Sequence, residues 1–160
     1  MAENELDRID VRILSELQRN GRLSNQELAD KVSLSPSPCL RRVRRLEQEG
    51  YIRNYVAVVD AEKVGLGLIA YVTIRLDKSH RTKLAPLSDF AKDVQLWPEV
   101  VECFAMSGDM DYLIRVQVKD LQAFSTFAMD KLMQHPSVVD MKSSFTMQTI
   151  KERVGLSINL

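Results

Sequence analysis

The sequence predicts an α+β protein in two parts, an N-terminal winged helix-turn-helix joined by a hinge to a C-terminal ferredoxin-like βαββαβ domain. Three observations carry this. Apolar residues recur at helical spacing as far as Leu46, and from Ile69 onward the period falls to 2. Gly65 and Gly67 interrupt the pattern between the two regions. Four arginines in five residues, Arg41, Arg42, Arg44 and Arg45, follow a pair of prolines in the first part.

Leu6 to Asn20 reads as the first helix, with Leu6, Ile9, Ile13, Leu14 and Leu17 on one face and Gly21 as its stop. Ser24-Asn25-Gln26-Glu27 is a capping box in which Ser24 bonds forward and Glu27 reaches back. It opens a short helix carrying Leu28, Ala29 and Val32. Ser33-Leu34 leaves room only for a tight turn into the arginine helix. There Ser35 is the expected cap, and Pro36 and Pro38 fall where N–H groups lack intrahelical partners anyway. Leu40, Val43 and Leu46 give a narrow apolar stripe, which leaves the four arginines on the other faces. Two helices joined this tightly make a helix-turn-helix over about 25–44, and the first helix closes its core. Gly50 ends the arginine helix, and Tyr51 to Val59 reads as a short two-stranded wing.

Asp60 to Gly67 is the expected hinge. Beyond it, Ala70, Val72, Ile74 and Leu76 share one face of a strand. Leu87, Phe90, Ala91 and Val94 follow at helical spacing after Pro86. Val100 to Met106 and Asp111 to Val118 are two strands around the turn Ser107-Gly108-Asp109-Met110. Asp120 caps a helix bearing Leu121, Phe124, Ala128 and Leu132, and Val138 to Ile150 is a last, long strand. The domains are therefore expected at 6–67, hinge included, at 68–150, and as a tail over 151–160. Two helices cover one face of such a sheet, so a second copy is the simplest cover for the other, and a homodimer is expected.

Formal net charge is zero, so nothing global points to nucleic acid. The charge is uneven, however: Ser35 to Asn54 holds five arginines against Glu47 and Glu49. Cys39 and Cys103 are the only cysteines, far apart and without metal-ligand spacing, which fits a reduced, cytoplasmic protein. Met1 to Glu5 is acidic and polar rather than a signal peptide, and no apolar run approaches membrane-spanning length. His80 and His135 read as surface or loop residues, and no nucleophile–base pair or metal cluster stands out.

Leu6-Asp7-Arg8-Ile9-Asp10, Gly21-Arg22-Leu23-Ser24-Asn25, Leu34-Ser35-Pro36-Ser37-Pro38-Cys39 and Arg42-Val43-Arg44-Arg45-Leu46-Glu47 carry a family resemblance. So does Ser107-Gly108-Asp109-Met110-Asp111-Tyr112, which is similar to a Gly-Asp-x-Asp-Tyr element. With these, nearly the whole chain resembles the Lrp/AsnC, or feast/famine, transcriptional regulators. The resemblance implies an N-terminal domain that binds promoter DNA in the cytoplasm, associated with the nucleoid. It also implies a C-terminal RAM domain that dimerises, assembles dimers into tetramers or octamers and binds a free amino acid between dimers. It implies no metal and no other cofactor.

In that setting the arginine helix reads as the recognition helix, its first turn entering the major groove. Ser35, Ser37, Pro38, Arg41, Arg42, Arg44 and Arg45 are the candidate contacts to bases and phosphates. Ser24 and Asn25, beside Gln26, can meet phosphate through backbone N–H groups, and Arg53 can do so from the wing. The expected operator is dyad-symmetric. For an amino-acid effector, Gly108 lets the turn offer N–H groups to a carboxylate, and Asp109 or Asp111 offers charge to the ammonium. Met106, Met110 and Tyr112 can line the side-chain pocket, which Ser143 and Ser144 complete. Two other classes compete: an enzyme of the siroheme decarboxylase type, which needs no arginine-rich helix, and a stand-alone amino-acid-binding regulatory subunit.

Overall fold

The computed structural model describes residues 6–77, 85–151 and 155–158, with the side chains of 85–88 left aside. His80 and the acidic stretch 1–5 lie outside the described residues. Two compact units emerge, Met1–Val58 with Ile150–Leu160, and Val59–Thr149.

The first unit holds three helices, α1 (Arg8–Arg19), α2 (Asn25–Val32) and α3 (Pro36–Gln48). Asp7 caps α1 by accepting from the Ile9 and Asp10 N–H groups, and the Asp10 carboxylate returns a bond to the Asp7 N–H. The capping box at Ser24 and Glu27 forms as the spacing predicts. Ser33 then takes a left-handed conformation, φ 59°, which makes the turn of the helix-turn-helix. Buried Ile13, Leu14, Leu28, Ala29, Val32, Cys39 and Leu46 form the core.

Three expectations for this unit need correction. Ser35 stands at the start of α3 but makes no side-chain cap bond. A serine cap commonly bonds the third helical N–H, and Pro38 occupies that position without one. The buried stripe of α3 is Cys39, Val43 and Leu46, not Leu40, Val43 and Leu46; Leu40 is exposed. The wing is absent as a pair of strands: 51–59 carries no strand, and Val58 is 96% exposed. Without a third strand or a covering helix, a lone hairpin has too little to bury.

Asp60 to Gly65 forms an ordered turn, with Asp60 accepting from the Lys63 N–H and Leu66 N–H bonding Ala61 O at 2.8 Å. This turn groups with the second unit, whereas Ile150–Leu160 groups with the helices.

In the second unit, β1 (Leu68–Leu76), α4 (Ala85–Asp93), β2 (Val100–Ala105), β3 (Tyr112–Val118), α5 (Leu121–Phe127) and β4 (Val138–Phe145) follow in the expected order. The sheet is antiparallel, in the order β2-β3-β1-β4. Alternation sends Ala70, Val72, Ile74 and Leu76, and Tyr112, Ile114, Val116 and Val118, into one core with Phe90, Phe124, Phe127 and Leu132. β4 stops at Phe145, opposite Ala70, rather than running to Ile150; the Thr146 N–H still bonds Ile69 O at 3.1 Å, and past Leu68 β1 offers no further partner. His135, expected as a surface or loop residue, sits in the loop before β4 but is buried: Nε2 lies 3.2 Å from the Asp93 carboxylate, and Nδ1 accepts from the Ser137 N–H. Its ring meets Phe90 and Trp97 edge-on.

Candidate nucleic-acid interface and effector turn

The helical period sorts the arginines of α3 into two pairs. Arg42 and Arg45 flank the buried stripe and turn back toward α1. Arg42 Nη1 bonds Asp7 at 2.6 Å and Asp10 at 2.8 Å, and Arg45 Nη2 bonds the other oxygen of Asp10. Asp10 has no exposed surface, so its charge depends on these partners. The hydrogen bonds to Asp10 and then Asp7 push the Arg42 guanidinium pKa further up. The Asp10 N–H, ahead of Arg42, holds the Asp7 carboxyl below the usual carboxylate range. The expectation that all four arginines face outward is therefore corrected. Asp10 stands on the apolar stripe of α1, three residues before Ile13, and that misplaced charge was the signal for an internal cation.

Arg41 and Arg44 point the other way. With Ser37, Leu40, Arg45 and Gln48 they line an open groove on the outer face of α3. Ser37, Leu40, Arg41, Arg44 and Gln48 sit at i, i+3, i+4, i+7 and i+11, one helical face. Among the described residues neither Arg41 nor Arg44 makes an ion pair. Leu40 and Gln48 are additions to the expected set; the spacing of Leu40 predicts a core position, and Gln48 lies one turn past the arginine run. Pro38 is half-buried in the first turn and Ser35 is exposed at the helix start. Ser24 spends its hydroxyl on the Glu27 N–H, and Asn25 Nδ2 donates to Pro36 O at 2.8 Å, tying α2 to the start of α3. The Ser24 N–H is taken as well, donating to the Glu27 carboxylate at 2.7 Å, so what this corner can offer a phosphate is the Asn25 N–H in the first turn of α2. Arg53 is exposed in the extended segment after α3.

The second constellation sits at the β2–β3 turn. Gly108 has φ 111°, and an added Cβ there would meet nothing within 4 Å, so the glycine serves backbone conformation rather than space. Met106 and Asp109 are exposed and Met110 is half-buried. Asp111 does not simply face outward: its Oδ2 accepts from the Leu76 N–H at 2.8 Å and fixes the end of β1. Tyr112 is in the core, 4.9 Å from the Phe90 ring, and burial pushes its phenol up. It therefore lines no outward pocket. Ser143 pairs with Val72 and Ser144 with Tyr71, so the two serines lie on opposite faces of β4. They cannot both line one pocket, and β1 separates them from the turn. Among the described residues no group of three His, Cys, Asp or Glu could hold a metal, and no helix is long and apolar enough to cross a membrane.

Comparison with known proteins agrees with this division. The Lrp/AsnC ligand binding domain matches residues 69–156, and a winged helix-turn-helix DNA-binding domain matches 6–53. The chain is 44% identical over 149 residues to the Bkd operon transcriptional regulator of Pseudomonas aeruginosa, covering 93% of this chain and 95% of that protein. It is 40% identical over 156 residues to the leucine-responsive regulatory protein of Escherichia coli, covering 96% and 92%. A transcriptional regulator of Neisseria meningitidis, solved as a complex with L-Met, superposes with a TM-score of 0.90 at 44% identity, covering 96% of this chain and 97% of that one.

Proposed function

The chain belongs to the Lrp/AsnC family of DNA-binding transcriptional regulators, and from that premise we propose that it reads a dyad-symmetric operator with the Ser37–Gln48 face of α3. It is a regulator with an amino-acid-binding domain, not an enzyme. The observation that carries the proposal is the sorting of the arginines. With Arg42 and Arg45 committed to Asp10, Arg41 and Arg44 remain to take guanine O6 and N7 or phosphate. Ser37 and Leu40 lie at the N-terminal end of α3, the part of a recognition helix that approaches base edges, and Gln48 lies nearer the backbone. The backbone N–H of Asn25, at the start of α2, and the Arg53 guanidinium flank it as phosphate contacts, while Ser24 serves as the cap of α2.

Two copies supply the dyad. The sheet face away from the helices carries Tyr71, Thr73, Phe104 and Leu113, with Phe104 50% exposed, which favours pairing through that face. A dimer then sets half-sites about 34–36 Å apart, or a multiple. The effector site is built around Gly108, Asp109 and Asp111, with Met106 and Met110 at its apolar side. Ser143 or Ser144 can complete it only from a second subunit, whether the dimer partner or one in a larger assembly, since β1 separates them from the turn within one chain. L-Methionine is the first candidate effector, by likeness to the Neisseria regulator, and L-leucine the second, by likeness to the leucine-responsive protein. Action at the nucleoid, in the cytoplasm, follows from the operator role.

Footprinting on the DNA upstream of the protein's own gene, without effector, with L-methionine and with L-leucine, tests this. Dyad-symmetric protection whose strength changes with L-methionine is expected. Protection without symmetry would overturn the operator reading, and indifference to both L-methionine and L-leucine would overturn the effector assignment.

A further inference from the structure

The last described residues of the chain fold against its first helix. Gln18, in the final turn of α1, uses both ends of its carboxamide on one peptide unit: Nε2 donates to Leu156 O at 3.2 Å, and Oε1 accepts from the Leu156 N–H. This repeats the paired donor and acceptor of a strand contact with a side chain in place of a strand. Gly155 makes the approach possible. Its φ is +152°, and a Cβ there would stand 2.6 Å from Gln18 Oε1 and 3.1 Å from Gln18 Cβ. Gln18 could escape that clash only by giving up Leu156. Two residues on, half-buried Ile158 packs against the apolar cluster of α1, α2 and α3. The family pattern runs through residue 156 as part of the ligand-binding domain, yet Ile150–Leu160 is compact with the helical unit.

We propose that Gly155–Ile158 is a clasp on α1 that gives the DNA-binding unit a second covalent tether to the sheet unit, and so sets how strictly the protein holds operator spacing. The chain leaves the helical unit after Val58 and re-enters it at Ile150. Because the tail is already attached, few contacts suffice to keep it docked. A unit tethered at two points samples fewer arrangements than one tethered at one. In a dimer on DNA, that restriction reads out as intolerance of displaced half-sites. The spacing consequence rests on the operator reading above; the clasp itself does not.

The full-length chain, a chain ending at Val154, Gln18→Ala and Gly155→Val are compared in two measurements. Hydrogen exchange at the Leu156 amide should show protection of at least about tenfold in the full-length chain, lost in Gln18→Ala and Gly155→Val. Gel shifts on operators with one half-site moved by about half a helical turn, roughly 5 base pairs, give the spacing penalty. The full-length protein should lose affinity about tenfold or more on the displaced site, and the shortened chain about threefold or less, with similar affinity for the native spacing. An unprotected Leu156 amide in the full-length protein overturns the clasp. An unchanged spacing penalty in the shortened chain overturns its role in DNA reading. If the full-length protein binds no operator, the operator reading fails, and Leu156 protection alone decides whether the clasp stands.

Discussion

Asp10 of α1 and Arg42 of α3 meet at 2.8 Å around a carboxylate with no exposed surface, so α3 is oriented by a charge inside the helical unit. The Asp7 N–H and Arg45 complete the shell of Asp10. A buried carboxylate stripped of partners is costly, which makes this cluster sensitive to single changes.

Arg42→Ala is therefore expected to act through stability. Asp10 keeps Arg45, so the loss should be that of a charge-assisted hydrogen bond, about 1.5–3 kcal/mol. In a unit of this size each kcal/mol lowers Tm by about 4–8 °C. Thermal unfolding by circular dichroism, beside gel shifts well below the transition, separates the roles. A wild-type Tm with lost DNA affinity would make Arg42 a direct contact instead.

Tyr55 gives an alkaline signature. Its hydroxyl donates to Glu47 at 3.0 Å, and burial followed by that bond pushes its pKa from 10.0 up to about 12. A folded pKa above the unfolded one means that Tyr55 contributes in full below pH 10.0 and loses its contribution as pH rises through about 12. Urea unfolding across that range should show stability falling in the wild type and a flatter profile in Tyr55→Phe. Identical slopes in both would remove Tyr55 from the balance.

At the effector turn, Asp111→Asn separates two roles that Asp111→Ala would confuse. Asparagine keeps an oxygen for the Leu76 N–H but loses the charge that an ammonium needs. Thermal stability should stay near wild type while affinity for L-methionine, measured by calorimetry, falls about ten- to a hundredfold. Asp111→Ala should also lower Tm. Unchanged L-methionine affinity in Asp111→Asn would leave Asp111 with its structural bond alone and shift the ammonium contact to Asp109.

Much of this was legible in the residues. The period change at Ile69, the capping box at Ser24 and the Gly108 turn each follow from local chemistry, and the structure has them where they were expected. What was not legible depends on tertiary partners. A narrow apolar stripe counted from Leu40 or from Cys39 looks equally helical, and only packing against α1 and α2 selects Cys39. The arginines divide because of Asp10, thirty-two residues before Arg42, and such a pairing has no local period. Two adjacent serines on a strand look like a pair, but alternation sends Ser143 and Ser144 to opposite faces. His135 is buried because Phe90, Trp97 and Asp93 arrive from elsewhere in the chain.

The sorting of the α3 arginines is tested most directly by the salt dependence of operator affinity in Arg41→Ala and Arg44→Ala. Both side chains line the outer groove and pair with nothing among the described residues, so Tm should stay at the wild-type value. An arginine on phosphate should weaken binding to all sequences and lower the salt slope by about 1, whereas one on guanine should cost about 1–3 kcal/mol and relax preference at one position. Wild-type affinity and slope in both variants, with affinity lost only when Arg42 or Arg45 is replaced at constant Tm, would contradict the assignment of the outer face of α3 as the DNA-reading surface.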